Sequence, residues 1–340
     1  MKKRVLFYLV FCFSLSLAVV GCAEDRLIVM TVTGPIGASE MGVCLTHEHI
    51  LVDFIGADKV DPNRYCQQDV AEKVLPFLLE AKGYGVKTFI DCTPAYLGRD
   101  PVLLRTLSEK TGVQIITNTG YYGAGNNKFV PGYGLEETAD QLCERWTKEW
   151  RDGIGDSGIR PGFIKIAVDA DDKLSEMHRK IVIAAAKTHL RSGLTIASHS
   201  GSAKAALEEI DLLEECGVSP KAFIWVHAQS GEPCSQVAAA KRGAWISFDN
   251  ITSEARSIEE SVKLILNMKN NGLLGSVLIS HDAGWYNVGE IDGGRIRPYT
   301  AIFMGLLPAL KKQGFTEQEL DQLLVVNPMN AFGVGVRAEK

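Results

Sequence analysis

The sequence predicts an α/β protein, specifically a (β/α)8 barrel, on three observations. Short runs rich in Val, Ile, Phe and Thr alternate with longer amphipathic stretches eight times over roughly 240 residues, close to the ~250 residues such a barrel usually takes. Strand followed by helix, repeated, implies parallel pairing. Candidate metal ligands end five of the eight runs, and in a barrel those ends converge on one mouth. A doubly wound open sheet is the alternative, and it leaves that convergence unexplained.

The strand-like runs are 43–48, 86–93, 113–120, 163–169, 194–199, 222–227, 244–249 and 276–282. Helical patterns cover 71–82, 101–110, 135–151, 177–191, 203–216 and 258–271. Before the first run, 27–42 reads as a short hairpin closing the barrel's bottom. After the last, 316–332 reads as a final helix ending after Asn327-Pro328. No linker, low-complexity tract or charge run divides the chain, so 22–340 is one domain. Gly153-Ile154-Gly155-Asp156-Ser157-Gly158 fits a dinucleotide fingerprint, but it precedes a strand instead of following one and reads as a turn. There is no GxSxG and no P-loop, which excludes serine hydrolases and nucleoside triphosphatases.

The N-terminus has the three regions of a secretory leader over residues 1–21: Met1-Lys2-Lys3-Arg4, an apolar run to Val20, and a small-residue site. The apolar run is shorter than the ~20 residues a helix needs to cross a bilayer. Val19-Val20-Gly21-Cys22 resembles a bacterial lipobox, with Cys22 as the lipidated residue; the alternative is an ordinary leader with a chance cysteine. The expectation is a lipid-anchored protein of the bacterial cell envelope that meets membrane only through that anchor. Of the eight cysteines, Cys12 and Cys22 belong to the leader, and the remaining six are scattered without a CxxC pair. They read as packing residues. A formal net charge of -5 with no basic stripe excludes a general nucleic-acid binder and points to a small-molecule partner.

The chemistry lies at the run ends. The chain has seven histidines, and His47, His49, His199, His227 and His281 end predicted strands, whereas His178 and His189 fall on helices. His47 and His49 sit two apart, so on a strand both face one way and can grip one ion, with Glu48 facing outward. Lys165 lies mid-strand in an apolar run, where an unpaired ammonium is costly. It needs a partner such as Asp282, or conversion by carbon dioxide to an anionic carbamate able to bridge two cations, because a protonated lysine offers no lone pair.

Thr46-His47-Glu48-His49, Gly162-Phe163-Ile164-Lys165-Ile166, His199 before Ser200-Gly201, His227, and Ile279-Ser280-His281-Asp282 together resemble the phosphotriesterase family of the amidohydrolase superfamily, over 27–332. The resemblance implies two divalent metal ions, zinc or similar. It places His47, His49 and Asp282 on the more buried ion and His199 and His227 on the other, with carboxylated Lys165 bridging and His281 not ligating. It implies a bridging hydroxide as nucleophile, Asp282 as the catalytic group that takes its proton, and commonly a homodimer. A net positive site lowers the pKa of bound water toward neutrality.

Phosphotriesterases usually carry His, and lactonases Arg, after the aspartate ending the seventh strand; here Asn250 follows Asp249. Asn carries neither a proton nor a charge, so the usual relay is missing. Tyr121, Tyr122, Trp285 and Tyr286 are expected to line the pocket, against surface packing as the alternative. Arg295 and Arg297 are placed to meet an anionic substrate, or else are simply solvated. The expected function is hydrolysis of a lactone or related carboxylic ester, ahead of phosphotriesters. A metal-binding envelope lipoprotein without turnover is the second class.

Overall fold

The computed structural model describes residues 27–338. The leader and Cys22 lie outside the described residues. A short antiparallel hairpin comes first, β1 (Ile28–Thr31) with β2 (Gly34–Gly37). The barrel strands follow: β3 (Cys44–Val52), β4 (Thr88–Asp91), β5 (Gln114–Ile116), β6 (Asn118–Thr119), β7 (Phe163–Val168), β8 (Ile196–Ser200), β9 (Phe223–Val226), β10 (Trp245–Phe248), β11 (Val277–Ile279) and β12 (Gly284–Asn287). Each of the eight expected runs holds a strand, and neighbours pair in parallel.

Hydrogen bonding runs β12-β3-β4-β5 and β6-β7-β8-β9-β10-β11. β5 and β6 belong to one predicted run, interrupted at Thr117, whose carbonyl instead accepts Gly162 N–H at 2.8 Å. The remaining seam, β11 against β3, lacks a regular ladder. Asp282 N–H donates to His47 O at 3.0 Å, Thr46 Oγ1 to Ile279 O at 3.2 Å, and His47 N–H to Ser280 Oγ at 2.9 Å. One backbone and two side-chain hydrogen bonds thus complete the (β/α)8 barrel where the last strand meets the first. Gly284, at φ 92, is required by close approach, since a Cβ there would collide with His49 O and the Tyr299 hydroxyl.

The outer helices are α1 (Gln67–Gly83), α2 (Pro101–Thr111), α3 (Gly132–Glu136), α4 (Ala139–Asp152), α5 (Glu176–Ser192), α6 (Ala203–Glu215), α7 (Pro233–Arg242) and α8 (Ala255–Asn270). Three closing helices are α9 (Leu307–Lys312), α10 (Glu317–Asp321) and α11 (Asn327–Phe332). The longer barrel helices turn an apolar stripe to the strands, as α5 does with Ile181, Val182, Ala185 and Ala186. Burying one such Ile or Val is worth ~1.5–3 kcal/mol. Beneath the mouth the interior is filled by Met41, Cys44, Ile90, Ile116, Phe163, Ile224 and Leu278. No helix among the described residues is long and apolar enough to cross a membrane.

Two elements differ from expectation. The pattern at 135–151 is two helices, because Thr138 and Gln141 form a reciprocal capping box that starts α4 afresh. α7 has no counterpart among the predicted helices: it is short, its buried face is made of Gln236, Ala239 and Ala240 with no large apolar residue, and only Pro233 in its first turn marks it. The final helical segment runs to Phe332 as expected, continuing past Asn327-Pro328 because a proline in the first turn of α11 needs no amide partner. Buried Asn327 donates to Leu274 O and Val277 O, tying the helix under β11.

Candidate metal centre

β3 is buried throughout and carries His47 and His49 on one face, their Nε2 atoms 3.3 Å apart. Asp282, just beyond β11, adopts the left-handed region at φ 51, which Asp tolerates better than most residues. Its Oδ1 lies 3.1 Å from His49 Nε2 and 3.6 Å from His47 Nε2, yet accepts no hydrogen bond among the described residues. His227 ends β9 and stands 5.1 Å from His47 and 4.5 Å from His199, ring centre to ring centre. His47, His227 and Asp282 each present a ligand atom within 4.8 Å of the others.

Each of the four imidazoles has an Nδ1 partner. His47 Nδ1 lies 3.0 Å from Asp249 Oδ2, His227 Nδ1 2.7 Å from Asp249 Oδ1, His49 Nδ1 2.8 Å from Thr93 Oγ1, and His199 Nδ1 3.2 Å from the Tyr122 hydroxyl. For His47 and His227 a carboxylate can only accept, so the proton sits on Nδ1 and leaves Nε2 a lone pair for a metal. Asp249, on the end of β10 and fully buried, therefore holds two candidate ligands at once; it also accepts from His227 N–H, Gln229 Nε2 and Ser247 Oγ.

Lys165, from β7, is 1% exposed. Its Nζ reaches Ile166 O at 3.4 Å and sits 5.7 Å from the Tyr122 ring, with no carboxylate in ion-pair range among the described residues. The ion pair with Asp282 does not form. Burial pushes the Lys165 pKa down, toward the neutral amine that reacts with carbon dioxide. Burial first, then the neighbouring His227 and Lys165 charges, holds His199 well below the ordinary imidazole value. Burial also lowers His47, against the pull of Asp249. His227 goes the other way: burial lowers it, but the Asp249 charge and hydrogen bond outweigh that and raise it. Burial alone would raise Asp249 and Asp282, and the surrounding imidazoles hold both below the usual carboxylate range.

Four imidazoles with outward-tied Nδ1 atoms, an unpaired buried amine and a carboxylate oxygen without a donor form a donor set that fits divalent cations. They open on a cavity of about 80 Å³, walled by Val52, Phe54, Pro94, Leu97, Tyr122 and Trp285.

Of the residues expected to line the pocket, Tyr122 and Trp285 do, and Trp285 Nε1 donates to Asp282 O at 3.0 Å. Tyr121 does not. Its neighbour Tyr122 takes the inner side, so Tyr121 points back to α4, its hydroxyl 3.1 Å from that of Tyr133 and its ring edge-on to Trp146. The same alternation on β12 turns Tyr286 away from the site and against Gly293. Asn250 is exposed and borders a separate surface cavity with Gln229, Thr252 and Arg256. Arg295 is exposed too, while Arg297 stacks on Trp285 at 5.2 Å, one layer behind the wall. Glu48 faces away from the pocket as expected, but into a fully buried cage instead of solvent.

Phe54 and Leu97 at the site escape sequence reasoning, because they follow strands in segments without periodicity; Thr93 ends the second run, but nothing in its type or spacing marks it as the partner of His49. Asp249 is visible as the end of the seventh run, but one carboxylate shared by two histidines leaves no mark in sequence spacing.

Comparison with known proteins agrees with this geometry. The phosphotriesterase family profile matches residues 28–332. The chain is 25% identical over 294 residues to the "Phosphotriesterase homology protein" of Escherichia coli, covering 86% of this chain and 98% of that one. It is 25% identical over 311 residues to the "Aryldialkylphosphatase" of Saccharolobus solfataricus, covering 87% and 96%. It is 23% identical over 342 residues to the human "N-acetyltaurine hydrolase", covering 88% and 96%. A match across nearly the whole described barrel, with its metal-ligand motifs gathered at one mouth, makes this chain a member of the phosphotriesterase family, whose members are hydrolases with a dinuclear metal centre.

Proposed function

We propose that this chain is a divalent-metal hydrolase of neutral esters, with lactones or related carboxylic esters as the preferred class. The observation that carries the reading is the donor set itself: His47, His49, His199 and His227, the buried amine of Lys165, and an Asp282 oxygen that nothing else satisfies among the described residues. His47, His49 and Asp282 would hold one ion, His199 and His227 the other, and carboxylated Lys165 would span them. Bound there, zinc or a similar ion supplies Lewis acidity and an acidified water.

The chain's own residues do the rest. Asp282, through the carboxylate oxygen not turned to the His47–His49 pair, accepts a proton from the attacking water and passes it to the leaving oxygen. Without a proton carrier at Asn250, that transfer is direct or through solvent. Val52, Phe54, Pro94, Leu97 and Trp285 exclude water and favour an apolar substrate body. Apart from Lys165, no lysine or arginine among the described residues lines the cavity, which supports a neutral substrate over an anionic one. Neutral phosphotriesters satisfy the same walls and are the second reading, favoured by the similarity to an aryldialkylphosphatase. The envelope location and the Cys22 anchor belong to the same proposal.

The test is metal content by elemental analysis, then turnover on matched panels of lactones, carboxylic esters, aryl dialkyl phosphates and N-acyl aminosulfonates. Two metals per chain with lactone or ester turnover foremost is the expected result. Turnover confined to triesters reverses the substrate order. Full metal loading with no turnover on any panel sinks the enzyme reading in favour of a binding protein.

A further inference from the structure

Glu48 stands between two candidate ligands on β3 with its side chain on the opposite face and 0% exposed. A buried carboxylate needs either a cation or several donors. It has four donors and no lysine or arginine among the described residues. Oε1 accepts from Ser280 Oγ at 2.7 Å, His281 N–H at 3.0 Å and His281 Nδ1 at 2.6 Å, and Oε2 accepts from Ala283 N–H at 2.9 Å. His281 Nε2 in turn accepts Ile302 N–H at 3.1 Å, which fixes the His281 proton on Nδ1 and keeps the ring a neutral donor to Glu48.

These contacts sit at the seam where the β11–β3 ladder fails. The backbone amides of residues 281, 282 and 283 all turn to the 47–49 segment: the first and third to the Glu48 carboxylate, the middle one to His47 O. Glu48 therefore supplies, from a side chain, the acceptors that a regular partner strand would supply from carbonyls. The residue between the two gripped amides is Asp282, held at φ 51 with Oδ1 aimed at His47 and His49. Ser280 Oγ, while donating to Glu48, also accepts His47 N–H, so one carboxylate braces both sides of the ligand cluster.

We propose that Glu48 is a positioning residue: by gripping the amides on either side of Asp282 it fixes that carboxylate on the His47–His49 pair and so sets occupancy of the buried metal position. The inference rests on the metal-centre reading above. Glu48→Gln keeps shape but sets an NH2 against one of the four donors, leaving a donor facing a donor. Loss of such an outer partner weakens metal binding by roughly 10- to 100-fold.

The experiment loads wild type, Glu48→Gln, Asp282→Asn and the double variant with Co2+. It reads metal stoichiometry, retention against a competing chelator, and the visible cobalt spectrum, with circular dichroism confirming the fold. The expected result is that Glu48→Gln loosens one of two ions at least tenfold and alters its spectrum, and that Glu48→Gln adds nothing further once Asp282 is already Asn. Additive losses, or two ions held as in wild type, overturn the proposal. If Glu48→Gln does not fold, Glu48→Asp, which keeps the charge but is too short to reach both amides, decides by the same readouts. Failure of both to fold makes Glu48 a folding element only and equally ends the positioning claim. A wild type that binds no metal would instead refute the metal-centre reading.

Discussion

Replacing Asp249 by Asn isolates a single carboxylate that organises two imidazoles. Asp249 Oδ1 accepts from His227 Nδ1 at 2.7 Å and Gln229 Nε2 at 3.2 Å, while Oδ2 accepts from His47 Nδ1 at 3.0 Å and Ser247 Oγ at 2.9 Å. An amide retains one acceptor and gains a donor. The His227 backbone N–H is shared between the two oxygens at 3.2 and 3.1 Å; beyond it, the new donor would face two further N–H groups on the Oδ1 side, whereas on the Oδ2 side Ser247 can rotate its hydroxyl to accept instead. The amide nitrogen therefore turns toward His47. His47 then loses its Nδ1 acceptor, and its proton moves to Nε2, where it blocks metal binding, whereas His227 keeps its partner. Removing an outer partner of a metal-bound histidine costs roughly 10- to 100-fold in affinity, about 1.4–2.7 kcal/mol. The expected outcome is a folded Asp249→Asn protein that releases one ion 10- to 100-fold more readily to a chelator and keeps the other. Elemental analysis during chelator titration reads this directly, and 15N-histidine NMR reads the tautomer of His47. Retention of both ions at wild-type strength would refute the argument, as would weakening confined to the His227 position.

Two further outcomes follow from buried groups. Lys165→Met removes the only amine in the cluster, so the variant should hold fewer than two ions and lose turnover; a variant keeping two ions and full activity rules out a bridging carbamate. Glu209, buried behind β8 between Ser198 and Ser200, has its pKa pushed up to about 8, burial being the main cause and the two hydroxyls opposing it. An acid whose folded pKa is raised binds more protons folded than unfolded between the ordinary glutamate range and pH 8. Folding stability therefore falls as pH rises through that window, by at most about 1.4 kcal/mol per pH unit. Glu209→Gln, neutral throughout, should flatten the fall of the metal-free protein's melting temperature between pH 5 and 8; an unchanged slope would show that Glu209 is already ionised when folded.

The barrel was legible because its signal is repeated. Eight apolar runs with seven intervening segments leave little freedom in topology, and errors of a few residues at any one end, as at Thr138, do not propagate. The donor set was legible for a related reason. His47, His49, Lys165 and His199 occupy strand positions whose direction period 2 already dictates, whereas His227 and Asp282 lie just past strand ends in left-handed backbone and are marked only by their place at the end of a run. That same rule, followed one residue further, separates Tyr122 from Tyr121 and Trp285 from Tyr286, so only one of each aromatic pair reaches the cavity. What the linear pattern did not contain were relations between distant segments. The hydrogen bonds of Asp249 with His47 and of Glu48 with Ser280 each span more than 200 positions, and nothing local distinguishes those acids from surface ones. Asn250 misled in the opposite sense, since a residue beside a buried aspartate still turned to solvent.

The aromatic wall sets the tempo of access. Phe54 packs on Trp285 at 5.4 Å and on Phe129 at 6.1 Å, and Phe129 in turn on Tyr122, so the four rings form a continuous arc, a partial collar along the mouth. The space they enclose, about 80 Å³, suits ions and a few waters but not an ester with its acyl and alcohol parts. Entry of an ester is therefore expected to need the rings to swing aside. Side chains of this size, in mutual contact, move as a group, and the first to move is the one that solvent reaches. Turnover of bulky substrates should accordingly slow with solvent viscosity while that of the smallest does not, making the collar a filter by size and by time.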